Sequence, residues 1–246
     1  MAARRRRATE RRARATAAKG ERPGARRSKK GEATRARLVQ TAFALFEKDG
    51  FEKTTLRAIA AKAGVSLGLL YRYYPSKDAL VVELYDDLSQ RFVRRSAALP
   101  EGPWVLRVLR LLRVSLDVLA PHREALRAMV PSLTVAPGHP LFIPGGQPSH
   151  LRVQSRFEAA VAGASDAPEN AARLGRQLYL AHLGLVLAWL LDRSPGQRAT
   201  RRGFALVERW APLAAALSGS GALSGLTGPV GDLLELAVLG KRGNAP

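Results

Sequence analysis

The chain has 246 residues, room for one large or two small domains, and no cysteine, which excludes disulfides, thiolate metal sites and cysteine nucleophiles. Lys and Arg outnumber Asp and Glu by 40 to 20, and residues 1–30 alone hold 13 Lys/Arg against 2 Glu. Hydrophobic residues make up 46% of the chain, so a packed core is affordable, and the concentrated positive charge suits a polyanionic partner.

Residues 1–31 have almost no large apolar side chains and read as a disordered basic arm, unable to bury enough surface to fold alone. A solvated tail and an arm that enters a DNA minor groove through Arg26–Lys30 both fit that composition. No secretory signal is expected, because no apolar stretch follows the charged N-terminus. Thr34–Lys48 reads as the first helix, with Leu38, Ala42, Leu45 and Phe46 in one stripe, and Asp49-Gly50 breaks it.

Thr54–Lys77 is the most informative stretch. Leu56, Ile59, Ala60 and Ala63 recur at helical spacing, and Thr54 or Thr55 can cap that helix at its start. Gly64 ends it, Val65 plugs the corner and Ser66 caps a second helix, Leu67–Tyr73, which stops before Pro75. Two short helices across a Gly-containing turn form a helix-turn-helix signature, although a plain αα-hairpin in a bundle has the same outline. Leu70, Tyr74 and Val65 can point at a core. The other side carries Ser66, Leu67, Gly68, Leu69, Tyr71 and Arg72, and a soluble helix seldom exposes such a set without use.

The run Ala60–Lys77, with the pattern AxxAGVSxGxLYxYYxSK, resembles the tetracycline-repressor (TetR) family of helix-turn-helix regulators. Tyr74 stands where the family usually has Phe. The resemblance implies an all-α fold: a three-helix DNA-binding domain over residues 32–78 and a helical effector-binding and dimerisation domain over 79–217. A flexible linker with a short C-terminal helix is expected over 218–246. It implies a near-palindromic double-stranded DNA operator read by two heads about 34–36 Å or a multiple apart. Arg57, Leu67, Gly68, Leu69 and Arg72 would face bases, and Thr55, Ser66, Tyr71, Tyr73 and Lys77 would hold phosphates. It further implies a repressor of cytoplasmic, nucleoid-associated action, released by a small-molecule effector whose identity is open.

Beyond the head, Ser76 can cap a helix over Lys77–Leu99, with Leu80, Leu84, Leu88 and Phe92 on its buried side. Helices are expected over Trp104–Leu119 and Glu124–Val130. Eight Pro and Gly residues between Pro131 and Pro148 then break the chain, as a surface connection or a gate. Ser149–Gly163 and Ala167–Asp192 follow, the latter with Pro168 in its first turn and apolar nearly all round from Leu178 to Leu191. That 14-residue run is short of the roughly 20 a membrane span needs, so it reads as a buried helix, with no membrane partner. Thr200–Leu217 is amphipathic. Together, helices of about 168–192 and 200–217 suit a four-helix homodimer interface, although burial within one subunit would also account for them.

Catalytic chemistry is not expected: GxSxG, GxxxxGK[ST], HExxH and GxGxxG are all absent. No metal site or cofactor is expected either, since His122, His139, His150 and His182 fall in separate segments. Trp104, Met129, Phe142, Tyr179, His182 and Trp189 are candidates to line a ligand pocket, against the alternative that they are ordinary core. A sequence-indifferent DNA-coating protein driven by the arginine tail, and a helical enzyme that borrowed a DNA-binding head, are the competing functions.

Overall fold

A computed structural model describes the backbone of residues 29–135 and 148–219, and side chains within 30–130 and 148–213. The chain divides into two compact units, residues 1–37 and 38–246; everything below concerns the second unless stated otherwise. The helices are α1 (Lys29–Asp49), α2 (Leu56–Lys62), α3 (Leu67–Tyr73), α4 (Lys77–Arg95), α5 (Trp104–Leu119), α6 (Arg123–Val135), α7 (Pro148–Ala162), α8 (Ala171–Leu191) and α9 (Arg198–Gly219). Single 3-10 turns, Ala120–His122 and Pro195–Gln197, join α5 to α6 and α8 to α9. Among the described residues there is no strand.

The head forms as local chemistry requires. Leu38, Ala42 and Phe46 of α1 are fully buried, and Phe46 meets Phe43 and Phe51 edge-on at 5.2 and 4.9 Å. Gly50 takes φ +85°, and the Thr54 hydroxyl donates to its carbonyl (2.8 Å), closing the loop into α2. Thr55 Oγ1 accepts from the Ala58 amide (3.1 Å) as the N-cap of α2. At the other end Gly64 sits at φ +64°, its amide donates to Ala61 and the Val65 amide to Ala60, the paired bonds of a Schellman stop. Ser66 Oγ then caps α3 through Leu69 N (3.2 Å), and Ser76 Oγ caps α4 through Ala79 N (3.1 Å).

α4 carries both halves of the core. Leu80, Val81 and Leu84 near its start are buried with the head residues Leu70 and Tyr74, whereas Leu88, Ser89 and Phe92 are buried further along. In the body α7 packs hardest on α8. A Cβ placed on Gly175 would lie 2.5 Å from Glu158 Cα, so the two backbones touch where only glycine fits. The Arg123 guanidinium donates to the carbonyls of Trp189 (2.9 Å) and Asp192 (2.7 Å), capping the C-terminal end of α8. Asp192 accepts from the amides and hydroxyls of Ser194 and Thr200, which welds α8 to α9 and holds its carboxyl well below the usual range.

Several boundaries differ from expectation. α1 begins at Lys29, so the last residues assigned to the basic arm are helical. α4 stops at Arg95 rather than Leu99. α6 continues through Pro131 to Val135, since a proline costs one helical hydrogen bond but does not compel the chain to stop there. α8 begins at Ala171, leaving Pro168 in the loop, where its carbonyl accepts from the Ala171 amide (3.0 Å). The apolar stretch of α8 is not covered on every side: Ala181, Gly184, Ala188 and Leu191 are exposed. By length and composition α8 could cross a membrane, a test that core helices also pass. The expected arm before Lys29, the loop over 136–147 and the segment after Gly219, with its helical turns over Asp232–Leu239, lie outside the described residues.

Candidate functional site

Two features could carry function. The first is the outer side of the α2–α3 hairpin. Thr55, Arg57, Ser66, Gly68, Tyr71 and Arg72 are exposed there, Tyr71 by 51%. The Thr55 and Ser66 oxygens already cap helices, yet each hydroxyl keeps its proton to donate elsewhere. Leu69 is half-buried. Two residues depart from the expected picture. Leu67 packs partly against the core rather than standing clear of it. Lys77 donates from Nζ to the Phe51 carbonyl (2.8 Å) and the Glu52 carbonyl (3.3 Å), over the Phe51 ring at 4.4 Å, so it ties the start of α4 to the turn after α1. Only its third N–H is left for a phosphate. Tyr73 is half-buried beside Tyr74.

The second is a cavity of about 130 Å³ between α4, α5, α6, α7 and α8. Tyr179 and His182 line it, as proposed from the sequence. Trp104 and Met129 do not, Trp189 lines a separate cleft with Arg113 and Gln197 instead, and Phe142 lies outside the described residues. Trp104 is buried at the start of α5, where its amide donates to Asp166 Oδ1 (2.7 Å). Met129 is 1% exposed core. Trp189 donates from its indole to Gln197 Oε1 (2.8 Å) beneath the Arg123 guanidinium. Bulk and aromaticity selected core residues here, because size favours burial wherever a helix faces inward.

The cavity's polar lining went largely unread. Ser115 Oγ lies 2.7 Å from His182 Nε2, and His150 Nδ1 lies 2.6 Å from the Tyr179 hydroxyl. The two histidines, 32 positions apart in sequence, thus meet one cavity. Burial pushes the His182 imidazole down to about 4 and the Tyr85 hydroxyl up to about 12, and it raises Tyr179 as well. All three groups are neutral at neutral pH. Ser89 also lines the cavity, and its hydroxyl meets Arg152 of α7, which pairs with Asp86 Oδ1 at 3.0 Å. A serine or histidine amid an apolar stripe, such as Ser115 between Leu111 and Val118, was the available signal. Among the described residues no group of three His, Asp or Glu is placed to hold a metal ion.

The capped hairpin with its exposed outer side is a helix-turn-helix, joined by one helix to a body that holds a cavity. Residues 38–84 match the model for bacterial regulatory proteins of the tetR family. The repressor KstR of Rhodococcus jostii is 46% identical over 48 residues, 20% of this chain and 23% of that protein. This chain therefore matches about a quarter of the length of the KstR repressors. The regulator EthR of Mycolicibacterium smegmatis is 26% identical over 189 residues, 74% of this chain and 87% of EthR. A TetR regulator structure from Nitrosomonas europaea aligns with a TM-score of 0.55 at 25% identity, over 74% of this chain and 97% of that one. Residues 38–84 thus match the tetR-family DNA-binding region, and the chain as a whole is similar to EthR and to a solved TetR regulator.

Proposed function

We propose that the chain is a homodimeric repressor that binds a near-palindromic DNA operator through α2 and α3 and releases it when a small molecule enters the body cavity. The observation that carries the DNA-binding part is the outer face of α3, where Ser66, Gly68, Tyr71 and Arg72 stand exposed beside Thr55 and Arg57. Arg72 and Arg57 read base edges, and Tyr71, Ser66 and Thr55 hold phosphates. We keep residues 32–78 as the reading head and 79–217 as the effector-binding and dimerising part. The site of action is the cytoplasm, on the nucleoid.

The coupling route is α4. Tyr85, Leu88, Ser89 and Phe92 line the cavity, and Lys77 at the start of the same helix holds the turn of the head. A ligand shifts the equilibrium only by its unequal affinity for the DNA-competent and released arrangements. The KstR relatives are named as repressors, which favours repression over activation.

The test is binding to an inverted repeat sought in the DNA upstream of the gene, followed by fluorescence anisotropy. Tyr71→Ala is expected to weaken binding to operator and random DNA alike. Arg72→Ala is expected to lower the preference for the operator by about 10-fold, the worth of one base contact. If both variants bind operator as the parent does, the assignment of α3 is wrong. Random DNA bound as tightly as the operator would favour the sequence-indifferent coating alternative.

A further inference from the structure

The chemistry of the cavity wall restricts what can occupy it. Among the described residues lining it there is no Lys, Arg, Asp or Glu. The Arg152 guanidinium, which reaches the lining residue Ser89, is already paired with Asp86. An anionic ligand would have to leave water for a described wall that holds no Lys or Arg, which costs free energy. The volume of about 130 Å³ is close to that of an engineered cavity of about 150 Å³ that accommodates benzene.

The polar groups on the wall add a second constraint. His182 is 6% exposed; its Nε2 meets Ser115, and its Nδ1 is buried without a hydrogen-bond partner. An unmade hydrogen bond on a buried group is destabilising. In a neutral imidazole Nδ1 is a donor in one tautomer and an acceptor in the other. A hydroxyl serves either tautomer, whereas a carbonyl or ether serves only one.

We propose that the cavity takes an uncharged, single-ring-sized apolar molecule bearing one hydroxyl, which completes the hydrogen bonding of His182. This rests on the reading of the cavity as the effector site, but it is tested without DNA. Purified full-length chain is titrated by calorimetry with p-cresol, with toluene, and with p-toluate as the anion of similar size. We expect p-cresol to bind about 10-fold tighter than toluene and p-toluate not to bind measurably. His182→Phe should bring p-cresol down to the toluene level while toluene binding persists. Should that variant not fold, nitrogen NMR of the parent protein gives the same answer: the His182 resonances should move with p-cresol and stay put with toluene. Binding of p-toluate at or above the level of p-cresol, or no binding of either neutral probe at millimolar concentration, overturns the proposal. If p-cresol binds but leaves the DNA complex intact, the ligand class is upheld and only the regulatory reading fails.

Discussion

At the scale of single residues, position in the hydrogen-bond network decides role more firmly than residue type. Lys77 looks like a phosphate ligand by charge, yet its ammonium is tied to two carbonyls of the turn after α1. Lys77→Met keeps the apolar stem and removes the donors. It should therefore lower unfolding free energy by about 1–3 kcal/mol, measured in urea, as well as weaken DNA binding. A variant that loses DNA affinity at unchanged stability would make Lys77 a phosphate contact alone. His182 shows the same principle through pH. Burial holds its folded-state pKa near 4, against about 6.5 in the unfolded chain. Between those values the unfolded chain binds more protons, so stability must rise with pH across that window and be complete above it. The swing is at most about 3 kcal/mol. Urea melts of the parent and of His182→Phe between pH 4 and 7.5 should diverge, with the variant flatter. Parallel curves would mean that the imidazole is hydrated in the native state.

Elements differ in how far each is specified by its own residues. The α2–α3 hairpin was legible because its determinants are local: Thr55, Gly64 and Ser66 act within three to five residues of where they sit. Helix periodicity located the body helices for the same reason. It misplaced the start of α8, because Pro168 can open a helix and only the fold decides that it stays in the loop here. The cavity was half-legible: Tyr179 and His182 were found, but their partners Ser115 and His150 come from other helices, and sequence spacing carries no information about such meetings. Gly175 went unread altogether, as one glycine in a helical pattern signals nothing until a neighbour is placed against it. Its contact with the Glu158 backbone makes a sharp prediction. Gly175→Ala improves helix propensity, yet it should destabilise the protein by about 1–3 kcal/mol by forcing α7 and α8 apart. A gain in thermal stability would mean that the two helices can slide without loss.

For the whole molecule, the question is what covers α8 and α9. α9 exposes Leu206 by 57%, Val207 by 49%, Trp210 by 54% and Leu213 by 49%. α8 exposes Leu191 together with the small residues Ala181, Gly184 and Ala188, which permit close helix approach. Four large apolar side chains on one helix exceed what scattered surface residues require, and such concentrations mark interfaces. On the homodimer reading proposed above, the occupant is a second copy of the chain, because a two-fold interface relates two reading heads by the same rotation that relates the halves of a palindromic site. Leu206→Glu with Trp210→Glu should therefore give a monomer by sedimentation velocity. Both side chains are exposed within the single subunit, so the variant should still fold, and any fall in melting temperature should reflect only the lost dimer. Operator affinity should fall by about 100-fold or more, since each head then binds its half-site alone. Binding to an isolated half-site should stay near the parent's level, because α3 is untouched. If the double variant remains dimeric, the interface lies elsewhere on the body, and the apolar face of α9 needs a different partner.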